Sequence, residues 1–420
     1  MTAMTARRAS PRRPRRPRRT AQRGAVAIMV GVALTVLVGA VGLSIDAGRL
    51  YVTKSELQSA VDACALAAAR ELVCTGTTDT SCLDNARAAG QTVAARHQAN
   101  LQASTVNATV TFASTLSGPY ASDAPAAARH VRCTAQVSGI VPWLMGVLGA
   151  GSSTVAASAV ATTTPAQDFC LSAPLALCSK GSGSNFGYTV NEWITAASNK
   201  NDGDLSGSVR WARLSTQSVS DQLEGSTPVC GITKDSTVTL LNNGTQNGSK
   251  SAYNTRFGLY QGSGTAATSP PDRTGYAYPT PALAVGADVY GDYMSRRASF
   301  TPFTPGDYKG NAPGKGNANG SYFGTPLATN DLYQQYGADR RLIAVATVAK
   351  NDCDQSSNTV SAKLTGVACL LMLNPMGNGA KSDLYFQYLG NASSGTTPCG
   401  STGTPGGSTS SGPRVPVLAQ

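Results

Sequence analysis

The chain has 420 residues, of which 34 are Lys or Arg and 23 are Asp or Glu, so its formal net charge is +11. Nine of the basic residues are arginines within the first 23 positions, and the other 25 nearly balance the acidic ones. Nucleic-acid binding is not expected, because the basic excess lies in one tail where membrane topology and anionic lipid explain it. The length allows two or three domains.

An arginine-rich tail and an uncharged apolar run open the chain. The tail, residues 1–23, is predicted to be disordered and cytoplasmic, because its Pro-Arg-Arg repeats build no core and repel one another. The apolar run, residues 25–45, spans roughly 31 Å as a helix, close to the thickness of a bilayer's hydrocarbon core. Arginines before the first hydrophobic segment keep that end in the cytoplasm, so the chain after Asp46 is predicted to be exported.

A cleaved export signal is the alternative interpretation of the apolar run. Small residues such as Ala40 and Gly42 lie near its end, where a signal peptidase would cut. The length of the run and the helical pattern that continues past it favour a retained anchor. The arginine pairs lack the apolar residues that follow a twin-arginine export signal, so that export route is not expected.

The helical pattern continues beyond the apolar run as a stalk helix that ends near Leu72. Apolar residues recur at helical spacing, with charged residues between them. The apolar positions are Leu50, Leu57, Val61, Ala65, Ala68 and Leu72. Two interpretations stay open: the helix packs on its own domain, or it forms an interface with other copies or partner proteins. Small residues would permit the second, because they let helices approach closely, but most apolar stripes are simply core, which favours the first.

A run of motifs connects the apolar segment to the stalk helix. Gly24-Ala25-Val26-Ala27 opens the run, Asp46-x-Gly48-Arg49-x-Tyr51 closes it, and Leu57-Gln58-x-Ala60-x-Asp62 follows. In order and spacing, residues 24–72 resemble the N-terminal module of the TadE/TadG-like proteins of Flp (tight adherence, Tad) pilus-assembly loci. The resemblance covers about 50 of the 420 residues.

The resemblance implies a part in pilus assembly, with other pilus-assembly proteins or copies of the same chain as partners. It marks seven interaction or structural candidates: Asp46, Gly48, Arg49, Tyr51, Leu57, Gln58 and Asp62. Prepilin-type processing needs Glu at the fifth mature position. If Gly24 were the cleavage glycine, Met29 would stand there, which argues against processing into a pilin-like subunit.

The residues after the stalk predict a small α+β unit that is pilin-like in layout. A second helix is predicted over 83–101, with Ser81 and Asp84 as its capping pair. Alternating apolar and polar residues predict strands over 106–112 and 131–137. A short helix over 141–148 and a third strand over 154–162 complete the unit.

Residues 166–390 predict a larger exported region with short strands and long loops, because Gly, Pro and Asn are frequent in it. Its clearest strand signals lie at 342–348, 367–373 and 384–388. The loop-rich centre, residues 261–330, is a candidate for partial disorder. A Ser/Thr/Gly-rich stretch follows at the C-terminus.

All ten cysteines lie beyond the apolar run, which fits an oxidising compartment and up to five disulfides. Connectivity is not fixed by the sequence, but pairs that lie close in the chain are candidates. These are Cys74 with Cys82, Cys170 with Cys178, and Cys353 with Cys369. Cys64, inside the stalk helix, is the cysteine expected to stay unpaired or to pair between chains.

Neither a catalytic nor a cofactor site is predicted. Asp202 and Asp204 belong to a cluster of oxygen ligands that suits calcium, but the spacing of a calcium loop is absent and a weak site is left open. The two histidines, His97 and His130, are predicted surface residues next to arginines, so a nucleophile has few bases to pair with. No Cys-x-x-Cys pair occurs, so a zinc or redox centre is not expected.

The predicted fold class is α+β: a transmembrane helix that continues into a pilin-like helix with a small antiparallel sheet, then a β-rich, loop-rich exported domain with disulfides. Five segments follow: a tail (1–23), the transmembrane and stalk helix (24–72), a small α+β unit (73–165), a β-rich domain (166–390) and a low-complexity tail (391–420). The leading hypothesis is a non-enzymatic, single-pass protein of the bacterial inner membrane that works in Tad/Flp pilus assembly, with its C-terminal region in the periplasm or exposed at the envelope. Alternatives are a surface-exposed adhesin with a cleaved export signal, and a secreted hydrolase built on 166–390.

Overall fold

A computed structural model describes most of the chain after residue 22. The described residues are 23–74, 81–123, 127–198, 205–225, 228–241, 249–262, 264–304, 324–327, 329–355, 357, 359–377, 382–407 and 409–419. The helices are α1 (Arg23–Glu71), α2 (Ser81–Ala94), α3 (Val219–Glu224), α4 (Ser249–Thr255), α5 (Tyr290–Ala298), α6 (Asn330–Tyr336) and α7 (Lys350–Cys353), with one 3-10 helix (Met145–Leu148).

The strands alternate with these helices along the chain. They are β1 (Gln98–Ala99), β2 (Ser104–Thr105), β3 (Thr109–Ala113), β4 (His130–Ile140), β5 (Ser153–Leu171), β6 (Leu175–Cys178), β7 (Trp193–Ser198), β8 (Leu205–Gly207), β9 (Val209–Arg213), β10 (Val229–Ile232), β11 (Thr237–Leu241), β12 (Leu259–Tyr260), β13 (Thr325–Pro326), β14 (Leu342–Val348), β15 (Thr359–Met372), β16 (Ser382–Asn391), β17 (Gly403–Pro405) and β18 (Arg414–Leu418). The fold is therefore mixed helix and sheet, as the composition and patterns predicted.

The longest element is α1, an unbroken helix of 49 residues with two different halves. In its first half, the large apolar side chains from Val26 to Ile45 are between 44% and 71% exposed. Among the described residues, this is the one helix long and apolar enough to cross a membrane, a property that an N-terminal signal sequence shares. The apolar run and the stalk thus form a single helix, as predicted.

The second half of α1 forms the core of a proximal unit with α2, β3, β4 and β5. Its stripe of apolar side chains is buried there, so the stripe packs on its own domain. Gly90 lets α2 lie close to α1, because a Cβ at this position would come within 3.1 Å of Cys64 Sγ and of Ala68 Cβ. α2 ends at Ala94 rather than at 101, because Asn100 and its two successors take left-handed backbone angles in the β1–β2 turn.

The first sheet is antiparallel and is organised around β5, which has 19 residues. The first part of β5 pairs with β4, and its later part pairs with β18, β17 and β10. The division expected at residue 165 falls inside this strand. Residues 391–420, expected to be a low-complexity tail, contribute β17 and β18 to the same sheet. The backbone N–H and C=O groups of these two strands form hydrogen bonds with the second half of β5.

The second sheet has eight strands in the order β11-β9-β6-β14-β15-β16-β7-β8. β6 and β14 are parallel, and β11 also pairs with β15, which closes a ring of five paired strands. Successive residues of β14 and β15 enter hydrophobic clusters on opposite faces. Burial on both faces explains why 342–348 and 367–373 are continuous apolar runs rather than alternating ones.

The ten cysteines form five disulfides: Cys64–Cys133, Cys74–Cys82, Cys170–Cys230, Cys178–Cys353 and Cys369–Cys399. Of the three pairs suggested by sequence proximity, the structure contains only Cys74–Cys82. The expectation that Cys64 stays unpaired or bonds another chain was wrong, because β4 lies against α1 and brings Cys133 to it.

The other two proposed pairs were wrong because strand pairing, not proximity in sequence, brings the sulfurs together. Cys170 and Cys178 lie in consecutive extended segments, which carry them apart. β10 pairs with the end of β5 and places Cys230 beside Cys170. Cys178 pairs in register with Val348, just before α7 and Cys353. Cys369 pairs with the end of β16, which leads to Cys399.

The Cys64–Cys133 bond should contribute more to stability than Cys74–Cys82. It closes a sequence separation of 69 residues, against 8 for the other, so loop-closure entropy assigns it about 4 kcal/mol against about 2.5 kcal/mol. We expect the double variant Cys64→Ala/Cys133→Ala to unfold at lower denaturant concentration in detergent than the matched variant Cys74→Ala/Cys82→Ala. Equal losses, or a non-reducing peptide map that links Cys64 to anything but Cys133, would contradict this.

Candidate functional site

The motif at the end of the apolar run folds onto a loop almost a hundred residues further along the chain. The Asp46 carboxylate accepts hydrogen bonds from the backbone N–H groups of Trp143 (2.8 Å), Leu144 (3.1 Å) and Met145 (2.8 Å). These amides begin the 3-10 helix, whose N-cap residue supplies no side-chain hydrogen bond of its own. Asp46 therefore caps this helix from α1, and satisfies donors that would otherwise lack a partner.

The Asp46 carboxylate is buried at this contact. The N–H of Met145 is the largest influence on its pKa, and this hydrogen bond, with those from Trp143 and Leu144 and the charge of Arg49, outweighs the opposing effect of burial. The pKa of Asp46 is thus held below its ordinary value. The carboxylate stays ionised at neutral and mildly acidic pH, the form that accepts all three hydrogen bonds.

Arg49, one turn further along α1, fastens two loops to the helix. Its Nε and Nη2 both donate to Asn100 Oδ1, at 3.1 and 2.8 Å, and its Nη1 donates to the carbonyl oxygen of Val141 at 3.0 Å. The guanidinium also lies over the Trp143 ring, 4.5 Å from the centroid, a cation–π contact. Asn100 reaches Arg49 from the β1–β2 turn, where its backbone φ is 57°.

Three further motif residues lie on the side of α1 that meets the proximal unit, and two of them, Leu57 and Gln58, contact it directly. Leu57 is fully buried in the proximal core. Gln58 Nε2 donates to Asp62 Oδ1 at 2.8 Å, within the helix, and to the carbonyl oxygen of Ser158 in β5 at 3.2 Å. These contacts are internal to the chain, so the three side chains serve the fold of the proximal unit.

The other two motif residues point away from the proximal unit. Tyr51 is 77% exposed, and a Cβ added at Gly48 would have no described atom within 4 Å. The structure thus divides the motif into an inward set and an outward pair. The inward set is Asp46, Arg49, Leu57, Gln58 and Asp62. The outward pair is exposed, whereas Arg49, Gln58 and Asp62 are half-buried and Asp46 and Leu57 are buried.

Sequence reasoning missed Asn100 and Trp143 as partners of the motif. The one available signal was an unusual run, residues 133–167, that has no charged side chain. It was interpreted as strands and a short helix over 141–148. Nothing in its pattern indicates which residue would cap that helix, because the capping carboxylate lies in a different element.

A second cluster of charged groups lies in the part of the chain that contains the second sheet and the helices α3 to α7, which we call the distal region. Asp272 is fully buried and accepts hydrogen bonds from the Tyr293 hydroxyl and from the backbone N–H groups of Arg340 (2.9 Å) and Arg341 (2.8 Å). Burial raises the pKa of Asp272, and the charge of Arg341 opposes this effect. The Arg341 guanidinium donates to backbone carbonyls, including that of Met372. These hydrogen bonds of Asp272 and Arg341 join segments that are distant in the sequence, so the cluster stabilises the packing of those segments.

A cavity of about 460 Å³ lies between the end of α1 and the distal region. Arg70 of α1 lines it together with Arg297 and Asp339, which form an ion pair at 2.8 Å. In the described part of the chain, no group of three or more His, Cys, Asp or Glu side chains is placed to hold a metal ion. The histidines predicted to be surface residues, His97 and His130, are half-buried.

The calcium candidates Asp202 and Asp204 lie outside the described residues, as do residues 1–22 of the arginine-rich tail. A weak calcium site at these two residues stays a prediction from the sequence. Most of the loop-rich centre is described, apart from residues 263, 305–323 and 328.

A comparison with families of known proteins gives a match for α1. Residues 24–71 match the model of the family described as "Putative Flp pilus-assembly TadE/G-like". The matched segment is nearly the whole of α1 and contains all seven motif residues, so the resemblance is confirmed for this segment. No curated protein and no solved structure matches the chain. The pilin-like layout of the proximal unit stays a prediction.

Removing the Asp46 charge should loosen the loop that it caps. In Asp46→Ala, the three backbone donors lose a charged acceptor, so we expect hydrogen exchange at residues 143–145 to accelerate about ten-fold or more. Asp62→Ala is the matched control, since it removes another carboxylate of α1 whose partner is Gln58 rather than the loop. Unchanged protection at 143–145 in Asp46→Ala would refute the capping role.

Proposed function

We propose that this chain is a non-enzymatic, single-pass component of a Tad/Flp-type pilus-assembly or tight-adherence system in the bacterial inner membrane. One observation carries the proposal: the segment that matches the pilus-assembly family is a helix whose first half exposes an uncharged apolar surface. A soluble protein would bury such a surface, whereas lipid covers it at no cost. The family match supports the pilus-assembly system, and the exposed apolar half of the helix supports the membrane location.

The proposed topology puts the N-terminus in the cytoplasm and the residues after Asp46 in the periplasm or at the envelope surface. The arginines before the apolar run support this orientation. The pairing of all ten cysteines supports it independently, because disulfides persist in the periplasm and are rare in the cytoplasm.

Retention of the N-terminal helix, rather than its cleavage, is supported by how α1 is used. The helix continues without a break from the apolar run into the proximal core. Leu144 packs against Gly42, within the apolar run. Cleavage near residues 40–45 would remove the turn against which this loop packs. The adhesin alternative requires that cleavage.

A non-enzymatic role is supported by the state of the polar groups. The buried charges around Asp272 are used within the fold, and the motif carboxylates Asp46 and Asp62 receive hydrogen bonds from the chain itself. The outward pair, Gly48 and Tyr51, then serves as the contact for another pilus-assembly protein or a second copy. Small residues beside an aromatic side chain suit close packing of a partner helix.

The retained anchor can be tested by fractionating the native host and measuring the mature N-terminus by mass spectrometry. We expect a full-length species in the inner membrane, with residues after Asp46 open to protease only from the periplasm. A species that begins near residues 40–45 and is free of the membrane would favour the adhesin. A start at Ala25 would instead reveal prepilin-type processing despite Met29.

The pilus role and the outward pair can be tested together by gene deletion and complementation. We expect deletion to reduce surface pili, wild type to restore them, and Tyr51→Ala to restore few, because it removes the exposed side chain without touching the core. Leu116→Ala, an exposed apolar position on the proximal unit, is the matched control and should complement fully. Unchanged pili on deletion would refute the role, and full complementation by Tyr51→Ala would refute the contact.

A further inference from the structure

The loop that Asp46 caps carries an apolar surface of its own. We name residues 141–149 the apolar loop. Three of its side chains are large and exposed: Val141 at 64%, Trp143 at 58% and Leu144 at 45%. The chain carries no charge for eight residues before the loop or for 18 after it. Neighbouring exposed apolar side chains in an uncharged segment indicate a contact surface.

The apolar loop lies beside the last turn of the apolar run rather than above it. A Cβ added at Gly42 would come within 3.1 Å of Leu144 Cβ and 3.9 Å of the Met145 sulfur. Gly42 is buried by this contact, although its neighbours Val41 and Leu43 are exposed. Gly42 precedes Asp46 by four residues, so the loop reaches about 6 Å back along the helix. A side chain at Gly42 would push the loop away.

The direction of β4 explains why the loop reaches this depth. Cys133, early in β4, forms a disulfide with Cys64. The carbonyl oxygen of Val141, just after β4, accepts a hydrogen bond from Arg49. β4 therefore runs along α1 towards the apolar run and delivers the loop at its end. Asp46 and Arg49 then fix the loop against the helix at two points, the amides of residues 143–145 and the carbonyl of Val141.

We propose that the apolar loop inserts into the bilayer interface beside α1 and forms a second membrane contact of the chain. The occupant of its surface is lipid, because the loop is continuous with the exposed apolar face of the spanning helix. Its reach of about 6 Å past Asp46 falls within the depth at which interfacial segments bury their apolar side chains. Trp143, stacked under Arg49, is the residue type that favours this interface.

The inference rests on the proposed function, since it takes α1 as the membrane anchor. It adds a property that a helix alone lacks. A single helix leaves the exported unit free to rotate about the helix axis. A second contact displaced to one side fixes which face of the proximal unit meets the membrane and which face, including Tyr51, meets partners.

The test uses the full chain reconstituted into liposomes whose lipids carry bromine on the acyl chain. Bromine quenches tryptophan emission on contact. The chain has three tryptophans, but Trp211 is buried and Trp193 lies in the second sheet, hydrogen-bonded to the backbone of Ala287. We expect brominated lipid to quench roughly a third of the wild-type emission, most strongly with bromine near the headgroup, and to quench almost none in Trp143→Phe.

Two variants built on Trp143→Phe provide matched controls. Val141→Trp restores a tryptophan to the apolar loop and should restore the quenching. Leu116→Trp places one at an exposed site of the β3–β4 connection, which the register of these strands puts at the end of β4 far from the apolar loop. This variant should stay unquenched.

The outcomes separate the inference from the proposed function. If the liposomes retain the protein after carbonate washing but Trp143 is unquenched, the anchor stands and the loop contact is overturned. The same holds if Trp143 emission depends on protein density rather than on brominated lipid, since a second copy then covers the loop. If carbonate releases the protein from the liposomes, the anchor itself fails, and the loop contact with it.

Discussion

The structure depends on one helix whose two halves have opposite surroundings, the first half exposed and the second half buried. α1 runs without a break from an apolar, exposed half to a half that is buried in a protein core. Its second half is the central surface on which α2 and the strands β3 to β5 assemble, and Cys64 fixes it to β4 at Cys133. Because α1 is continuous between the halves, the position of the first half of α1 determines the position of the proximal unit.

Asp46 and Arg49 stand where the two halves of this helix meet. A carboxylate and a guanidinium at this boundary must have partners, because leaving either unpaired beside lipid would be costly. The chain supplies those partners from its own loops: three backbone amides for Asp46, and Asn100 with a backbone carbonyl for Arg49. Closing the boundary in this way also brings the uncharged loop around Trp143 to the level of Gly42. The same loop therefore provides the hydrogen-bond partners of Asp46 and the apolar contact with Gly42.

The sequence predicted those features that a short window of residues determines. The helix α1 and the strand β14 could be predicted because each is a continuous apolar run: α1 begins with an uncharged run long enough to span a bilayer, and β14 is buried on both faces. Pairings between segments that are distant in the sequence could not be predicted. The Ser/Thr/Gly-rich stretch forms β17 because β5 offers it an edge, not because its residues favour strands. Cys178 meets Cys353 because β6 and β14 are parallel. The partners of Asp46 belong to the same class, since backbone amides carry no sequence signature.

The long strand β5 connects the proximal unit with the rest of the chain. β5 pairs with β4 in the proximal unit and continues, without a break, to pair with β10 and β17 beside the second sheet. A continuous strand transmits orientation much as a continuous helix does, because both leave no hinge residue to absorb a rotation. The Cys170–Cys230 bond ties the far end of β5 to β10. In the proposed membrane arrangement, an orientation that α1 and the apolar loop set at the bilayer is carried through β4 and β5 to the distal region, and a contact at Trp143 helps to set the direction in which that region faces.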